Sequence, residues 1–118
     1  MSKNNRIYYA FDGDRIGKRL QHLILQNAEE DVETFAVSVN TAMSILEKSL
    51  RGLGCKIIFA SGDSILAFSE IPADIEDVQR IYGNITFSLG VGHTPREALI
   101  ALGAAKLQPP GSVYRIAE

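Results

Sequence analysis

Residues 85–92 read ITFSLGVG, a strict alternation of large and small side chains. In an extended strand successive side chains point to opposite sides, so Ile85, Phe87, Leu89 and Val91 share one face and Thr86, Ser88, Gly90 and Gly92 the other. The large face suits a covering layer of helix. The small face leaves room for another backbone or a ligand to come close. The strand therefore belongs to a sheet with a helical layer on one side and close approach permitted on the other.

The other elements follow from periodicity. RIYYAF, aromatic and β-branched, predicts a strand that ends near Asp12. From Arg15 onward, Ile16, Leu20, Leu23 and Ile24 recur at helical spacing. The acidic EED then suits the N-terminus of a second helix, whose stripe runs Val32, Phe35, Ala36, Val39, Ala42, Met43, Leu46 and Leu50. It stops at the glycines of RGLG. CKIIFA and SILAFS predict two strands joined through SGDS, with Gly62 and Asp63 at the centre of a type II′ turn. A short helix is expected after Pro72, with Ile75, Val78, Ile81 and Tyr82 apolar, ending at Gly83-Asn84. Thr94-Pro95-Arg96-Glu97 is a capping box with proline at the first helical position, and it opens a helix to about Lys106. QPPG breaks that helix, and SVYRI suits an edge strand.

Setting the helix from Thr94 aside, the order is βαββαβ. This is the ferredoxin-like pattern of the α+β class, an α/β sandwich with a mainly antiparallel sheet and helices on one face. It sets the first strand beside the hairpin, so Asp12 is expected close to Asp63.

With 118 residues, the chain suits one domain over residues 1–118. Its 46% apolar and 22% charged residues are ordinary for a soluble globular protein. No apolar run approaches the ~20 residues that span a bilayer, and MSKNNR does not begin a signal peptide, so a cytoplasmic protein without membrane insertion is expected. A single cysteine, Cys55, excludes an intramolecular disulfide, and with only His22 and His93 beside it no zinc site forms at usual spacing. A net charge of −2 offers no global attraction for nucleic acid, and no sequence-specific binding of it is expected. A polyanionic ligand must be handled locally.

FDGD by itself has two readings: a turn, because Asp-Gly between strands marks hairpins, or a metal or phosphate site at a strand end. Asp12 and Asp14 follow a strand and precede a helix, which removes the hairpin reading. SGDS alone is an ordinary hairpin tip, and Arg15, Lys18 and Arg19 alone are an ordinary solvated helix face. Their juxtaposition carries the inference. Two carboxylates held together repel, and a divalent cation between them, Mg2+ or Mn2+, relieves the repulsion. Such a site suits a nucleoside triphosphate, because magnesium takes few carboxylates and shares phosphates and water. Gly13 lets backbone approach, the following helix points its positive end there, and Arg15, Lys18, Arg19 and Lys106 are local cations. Two-metal phosphoryl transfer onto a sugar hydroxyl is the matching chemistry.

Three segments, YYAFDGDRIGKRL, IIFASGDSILAF and ITFSLGVGHTPREALIALGAAK, together resemble the palm-type nucleotidyltransferase and cyclase superfamily over about residues 6–107. That superfamily includes GGDEF diguanylate cyclases and the palm of the large CRISPR polymerase subunit. Within it the chain looks like the stand-alone minimal CRISPR polymerase group. The resemblance implies metal binding by Asp12, the Gly13 carbonyl and Asp63, with Asp14 as a further catalytic acid. It implies nucleotide binding by Gly13, Asp14, Arg15, Ile16, Gly17, Lys18, Ser61, Gly62 and Lys106, the last on the triphosphate. It also implies conversion of ATP, with release of pyrophosphate, into a cyclic oligonucleotide second messenger. Cyclic di-AMP or another cyclic oligoadenylate is the expected product, made in prokaryotic anti-phage defence and read by a separate effector protein.

The chain departs from the GGDEF pattern at three positions. Ser61 stands where the first glycine is usual, Ser64 replaces the second acid, and Leu20 stands where the asparagine that reads guanine is found, which favours ATP. Because two nucleotides must each attack the other, a homodimer or higher homo-oligomer is expected. The alternatives are a degenerate palm that binds nucleotide without turnover, a phosphatase of the haloacid dehalogenase type, and a GTP cyclohydrolase on the same palm.

Overall fold

β1 (Ile7–Gly13) runs through the middle of a five-stranded sheet. The computed structural model describes residues 5–75, 78 and 82–116. After β1 come α1 (Ile16–Leu25), α2 (Glu29–Gly52), β2 (Lys56–Ser61), β3 (Ser64–Ser69), β4 (Phe87–Gly92), α3 (Pro95–Ala105) and β5 (Val113–Arg115). The strand order is β2-β3-β1-β4-β5. All neighbours are antiparallel except β4 and β5, which run parallel at the edge. The α+β class and the mainly antiparallel sheet therefore hold, and SVYRI supplies the edge strand. The short helix expected between Pro72 and Tyr82 falls largely on residues outside those described, although Ile75 and Tyr82 are both buried in the core.

One face of the sheet carries the main core. Tyr9 and Phe11 of β1, Ile65 and Ala67 of β3, and Phe87, Leu89 and Val91 of β4 pack with Phe35, Val39, Met43, Leu46 and Leu50 of α2 and Ile16 of α1. Each such large side chain contributes about 1.5–3 kcal/mol on burial, so the contact between the α2 stripe and the sheet stabilises the fold substantially. The pattern of helices on one face describes α1 and α2.

The remaining helix, α3, lies on the opposite face, where Ala98 and Leu102 meet Tyr8, Ala10, Leu66 and Phe68. The small side of β4 makes this possible. A Cβ on Gly90 would collide with the backbone of Ala98 and Leu102, and one on Gly92 would lie 2.5 Å from Glu97 Cβ. The close approach that the alternation permits is thus made by a helix backbone. At its start, Thr94 Oγ1 accepts from the Glu97 amide at 3.1 Å, and Glu97 Oε1 accepts from the His93 amide at 2.8 Å. The capping box closes one residue earlier than its usual form, in which the glutamate reaches the cap residue itself.

Candidate functional site

The C-terminal end of β1 is held between β3 and β4, with Asp12 opposite Ser64 on one side and Ser88 on the other. The β2–β3 hairpin turns through Gly62 and Asp63. Gly62 has φ 59°, the positive φ that a type II′ turn needs at its first central position. This turn brings Asp63 over the end of β1, where the Gly13 amide donates to the Asp63 carbonyl at 2.9 Å. A Cβ on Gly13 would sit 2.8 Å from Asp63 Oδ2 and 2.7 Å from Ile16 Cγ1. Glycine at this position is what lets the Asp63 carboxylate lie across the strand end. Burial, and then the nearby charge of Asp12, push the Asp63 carboxyl above its ordinary value.

Ser64 Oγ donates to Asp12 Oδ1 at 2.6 Å, so the residue in the place of a second acid orients Asp12 as a donor. The other Asp12 oxygen meets Lys106, whose Nζ lies 3.0 Å from Oδ2. The same ammonium donates to the Gly13 carbonyl at 2.8 Å and to the Asp12 carbonyl at 3.3 Å. Lys106 reaches these atoms from the C-terminal end of α3.

Asp14 is in a different setting. Its side chain is buried, and both oxygens are fully engaged. Oδ1 accepts from Ser88 Oγ at 2.6 Å and from Lys106 Nζ at 3.3 Å. Oδ2 accepts from Thr86 Oγ1 at 2.7 Å and from the Gly111 amide at 2.8 Å. A carboxylate has about four lone-pair sites, and all are used. Burial pushes the Asp14 carboxyl up, but the hydrogen bonds from Ser88, Thr86 and Gly111 and the charge of Lys106 more than reverse it, leaving it below its ordinary value. Asp14 ties β4, the end of α3 and the loop before β5 to β1. In this arrangement no oxygen of Asp14 is open to a metal or nucleotide. The sequence places Thr86 and Ser88 on the small face of the strand predicted over residues 85–92 without marking them, or Gly111, as partners of Asp14. The two hydroxyls at alternate positions of the small face were the available signal, and the Gly111 amide had none.

The remaining residues divide by position. Ile16 is buried under the sheet, whereas Gly17 and Lys18 are exposed on α1. Arg15 caps α1 in the left-handed region with φ 59°. Arg19 stacks 4.3 Å over the Phe35 ring and donates to the Asn84 carbonyl at 3.1 Å. Arg15, Lys18 and Arg19 line a cleft of about 280 Å3 with His22, Leu23 and Phe35, and none of the acids lines it. Among the described residues, Lys106 is the cation seen in contact with Asp12. Ser61 and Gly62 are exposed at the hairpin tip, and Gly62 and Asp63 close one end of a second cleft of about 290 Å3. Its walls are Ile16 and Leu20 of α1 and Ala36, Val39 and Asn40 of α2.

The donor set fits a hard divalent cation. Asp12, the Gly13 carbonyl and Asp63 supply only oxygen, which suits magnesium or manganese. The Lys106 ammonium shows that the Asp12 carboxylate and the carbonyls of residues 12 and 13 already converge on one positive charge. Among the described residues there is no cluster of three or more His, Cys, Asp or Glu side chains able to hold a metal. The protein therefore offers a partial shell, of the kind magnesium completes with phosphate and water. Among the described residues, no helix is long and apolar enough to cross a membrane.

The family model of the minimal CRISPR polymerase domain (mCpol) matches residues 8–116. No curated protein matches the chain. Among solved structures, the crystal structure of the GGDEF domain of YfiN (TpbB) from Pseudomonas aeruginosa is similar, with a TM-score of 0.58 and 17% identity over 97% of this chain and 84% of that one. A shortened form of the same protein comprising only the GGDEF domain gives a TM-score of 0.55 and 18% identity, covering 96% and 78% of the two chains. At this identity the likeness is one of fold.

Proposed function

Since the chain belongs to the minimal CRISPR polymerase domain family, we propose that its palm of the nucleotidyltransferase and cyclase type joins ATP into a cyclic oligonucleotide and releases pyrophosphate. The observation that carries this is the convergence of Asp12, the Gly13 carbonyl and Asp63 at one strand end, with Lys106 across from them.

Asp12, the Gly13 carbonyl and Asp63 would hold Mg2+ or Mn2+, which when bound neutralises charge on the transferring phosphoryl group and makes the attacking hydroxyl more acidic. Ser64 fixes the Asp12 carboxylate in one orientation through its 2.6 Å hydrogen bond. Lys106 turns from Asp12 to the incoming triphosphate, held in reach by Asp14. The amides of Gly62 and Ser61 and the N-terminal turn of α1, from Arg15 through Ile16 and Gly17 to Lys18, flank the phosphates. The base lies in the cleft between α1 and α2, where Leu20 offers an apolar wall and Asn40 an amide. Asp14 acts through Lys106 and Ser88 and does not touch the reacting atoms.

On this reading the product is cyclic di-AMP or another cyclic oligoadenylate, a second messenger of anti-phage defence read by a separate effector protein. Synthesis runs in the cytoplasm, where ATP is supplied, in a homodimer or larger homo-oligomer. The departure at Leu20 supports ATP as the substrate, and membership of the family supports a palm of this catalytic type.

The test is incubation with each nucleoside triphosphate and Mg2+ or Mn2+, with pyrophosphate assayed and products identified by mass spectrometry. ATP should yield a cyclic product, and Asp12→Ala and Asp63→Ala should abolish it. Full synthesis by Asp63→Ala would sink the site assignment. A second reading, a palm that binds nucleotide without turnover, is favoured by Ser64 in place of an acid. It prevails if ATP binds and no pyrophosphate appears with either metal.

A further inference from the structure

The two carboxylates border two cavities, one on each face of the sheet. The cleft that reaches Asp63 lies on the α1–α2 side, with walls drawn from the main core. On the α3 side a larger cavity of about 570 Å3 reaches Asp12 and Ser64, and Phe59, Leu66, Arg96 and Leu99 are among its walls. Leu66 belongs to the apolar group that packs with α3, which places this cavity across the sheet from the first.

A local irregularity shapes its wall. Ile57 packs with the main core, so regular alternation would aim Phe59 the same way. The β2–β3 register shifts between these two residues, and Phe59 instead pairs with Leu66. The bulge turns its ring to the α3 side, into the cavity, as bulges beside functional sites do. Phe59 remains 48% exposed and Leu99 65% exposed.

We propose that this second cavity binds the acceptor nucleotide, so that a single chain holds both the nucleotide whose α-phosphate is attacked and the nucleotide whose hydroxyl attacks. The inference rests on the nucleotidyltransferase reading above. An aromatic ring and leucines give a base its stacking surface, the polar groups Asp12 and Ser64 stand at one end, and Arg96 supplies positive charge for the acceptor's own phosphates. The volume lies within the ~300–1,000 Å3 usual for small-molecule sites. Continuity with Asp12 argues for a reactant over a protein partner, which would need only the apolar rim.

In the reaction, the acceptor's ribose oxygen bonds to the donor's α-phosphorus. The bond from that phosphorus to the oxygen bridging to the β-phosphate breaks, pyrophosphate leaves with the electron pair, and the hydroxyl proton passes to solvent. The first phosphodiester bond then requires one chain, and oligomerisation serves only later steps.

The test is binding stoichiometry, by equilibrium dialysis with the non-reacting analogue α,β-methylene-ATP and Mg2+. Wild type should bind two analogues per chain, and Phe59→Ser and Leu99→Glu should each bind one while still unfolding in one cooperative transition, with the larger loss of melting temperature in Phe59→Ser, whose ring is half-buried. One analogue per wild-type chain would overturn the inference and leave the enzymatic reading standing. Two per chain in wild type and in both variants would place the second site elsewhere and equally overturn it. A change of oligomeric state in Leu99→Glu with stoichiometry unaltered would assign the cavity to a second copy of the chain instead. Two per chain in wild type, one in the variants and no pyrophosphate from ATP would overturn the enzymatic reading and the acceptor role with it, leaving a palm that binds two nucleotides.

Discussion

Three aspartates within a few ångströms differ in what surrounds them, and this sets what each can do. Asp14 is saturated by four donors, and Asp14→Asn turns one of its two acceptor oxygens into an NH2 donor that faces donors and removes the charge that Lys106 meets there. Asp14→Asn should cost about 2–4 kcal/mol in urea unfolding at neutral pH, well above the cost of Asp12→Asn. The sign with pH follows from the lowered Asp14 carboxyl. Its contribution is complete above the unfolded value of about 3.9 and is lost as pH falls through the lower folded value, so wild type and variant should converge in acid. Asp63 behaves oppositely, being raised by burial first and Asp12 second. In Asp12→Asn without metal, an NMR titration should find the Asp63 carboxyl lower than in wild type, because the neighbouring charge that helps to raise it is gone. Gly13→Ala should displace Asp63, since the new methyl meets its carboxylate at 2.8 Å. The expected cost is about 1–3 kcal/mol, with loss of synthesis.

Among the elements, α3 depends most closely on small residues. Gly90→Ala places a methyl against the helix backbone, which cannot yield as a flexible side chain can. A loss of about 3 kcal/mol or more is expected by thermal or urea unfolding. Gly103→Ala, on the same helix with open space around it, should stabilise by about 0.5–1 kcal/mol. The pair separates close approach from helix propensity, and equal effects of the two substitutions would contradict the packing described. The cap is a smaller term, and Thr94→Ala should cost about 1 kcal/mol.

In the whole molecule, β1 is the strand on which both layers act. Its Tyr9 and Phe11 face α2, its Tyr8 and Ala10 face α3, and its end carries the acids. Lys106 neutralises part of that end from α3, so little of the fold's stability is expected to depend on a bound cation. Chelation with EDTA should therefore stop synthesis while leaving the melting temperature within about 2 °C, a shift that corresponds to well under 1 kcal/mol for a domain of this size. Lys106→Gln should weaken ATP binding and synthesis by tenfold or more, the loss expected when a charge-assisted contact worth about 1.5–3 kcal/mol is removed.

The sequence by itself determined the elements whose signal is local. The alternation at residues 85–92 announced a two-sided strand, and the capping box placed the start of α3. The βαββαβ order brought Asp63 beside Asp12, because a hairpin following a strand and helix pair in that fold must lie next to it. Tertiary structure alone decided the rest. Asp14 looks like Asp12 along the chain, and only contacts from residues 72 to 97 positions away show it to be engaged on every side. Phe59 looks like a core residue of β2, and only the shifted register turns it outward. Periodicity reports which face a residue would take in an ideal element. Whether a carboxylate is free or saturated depends on donors that arrive from distant segments, and no local pattern records them.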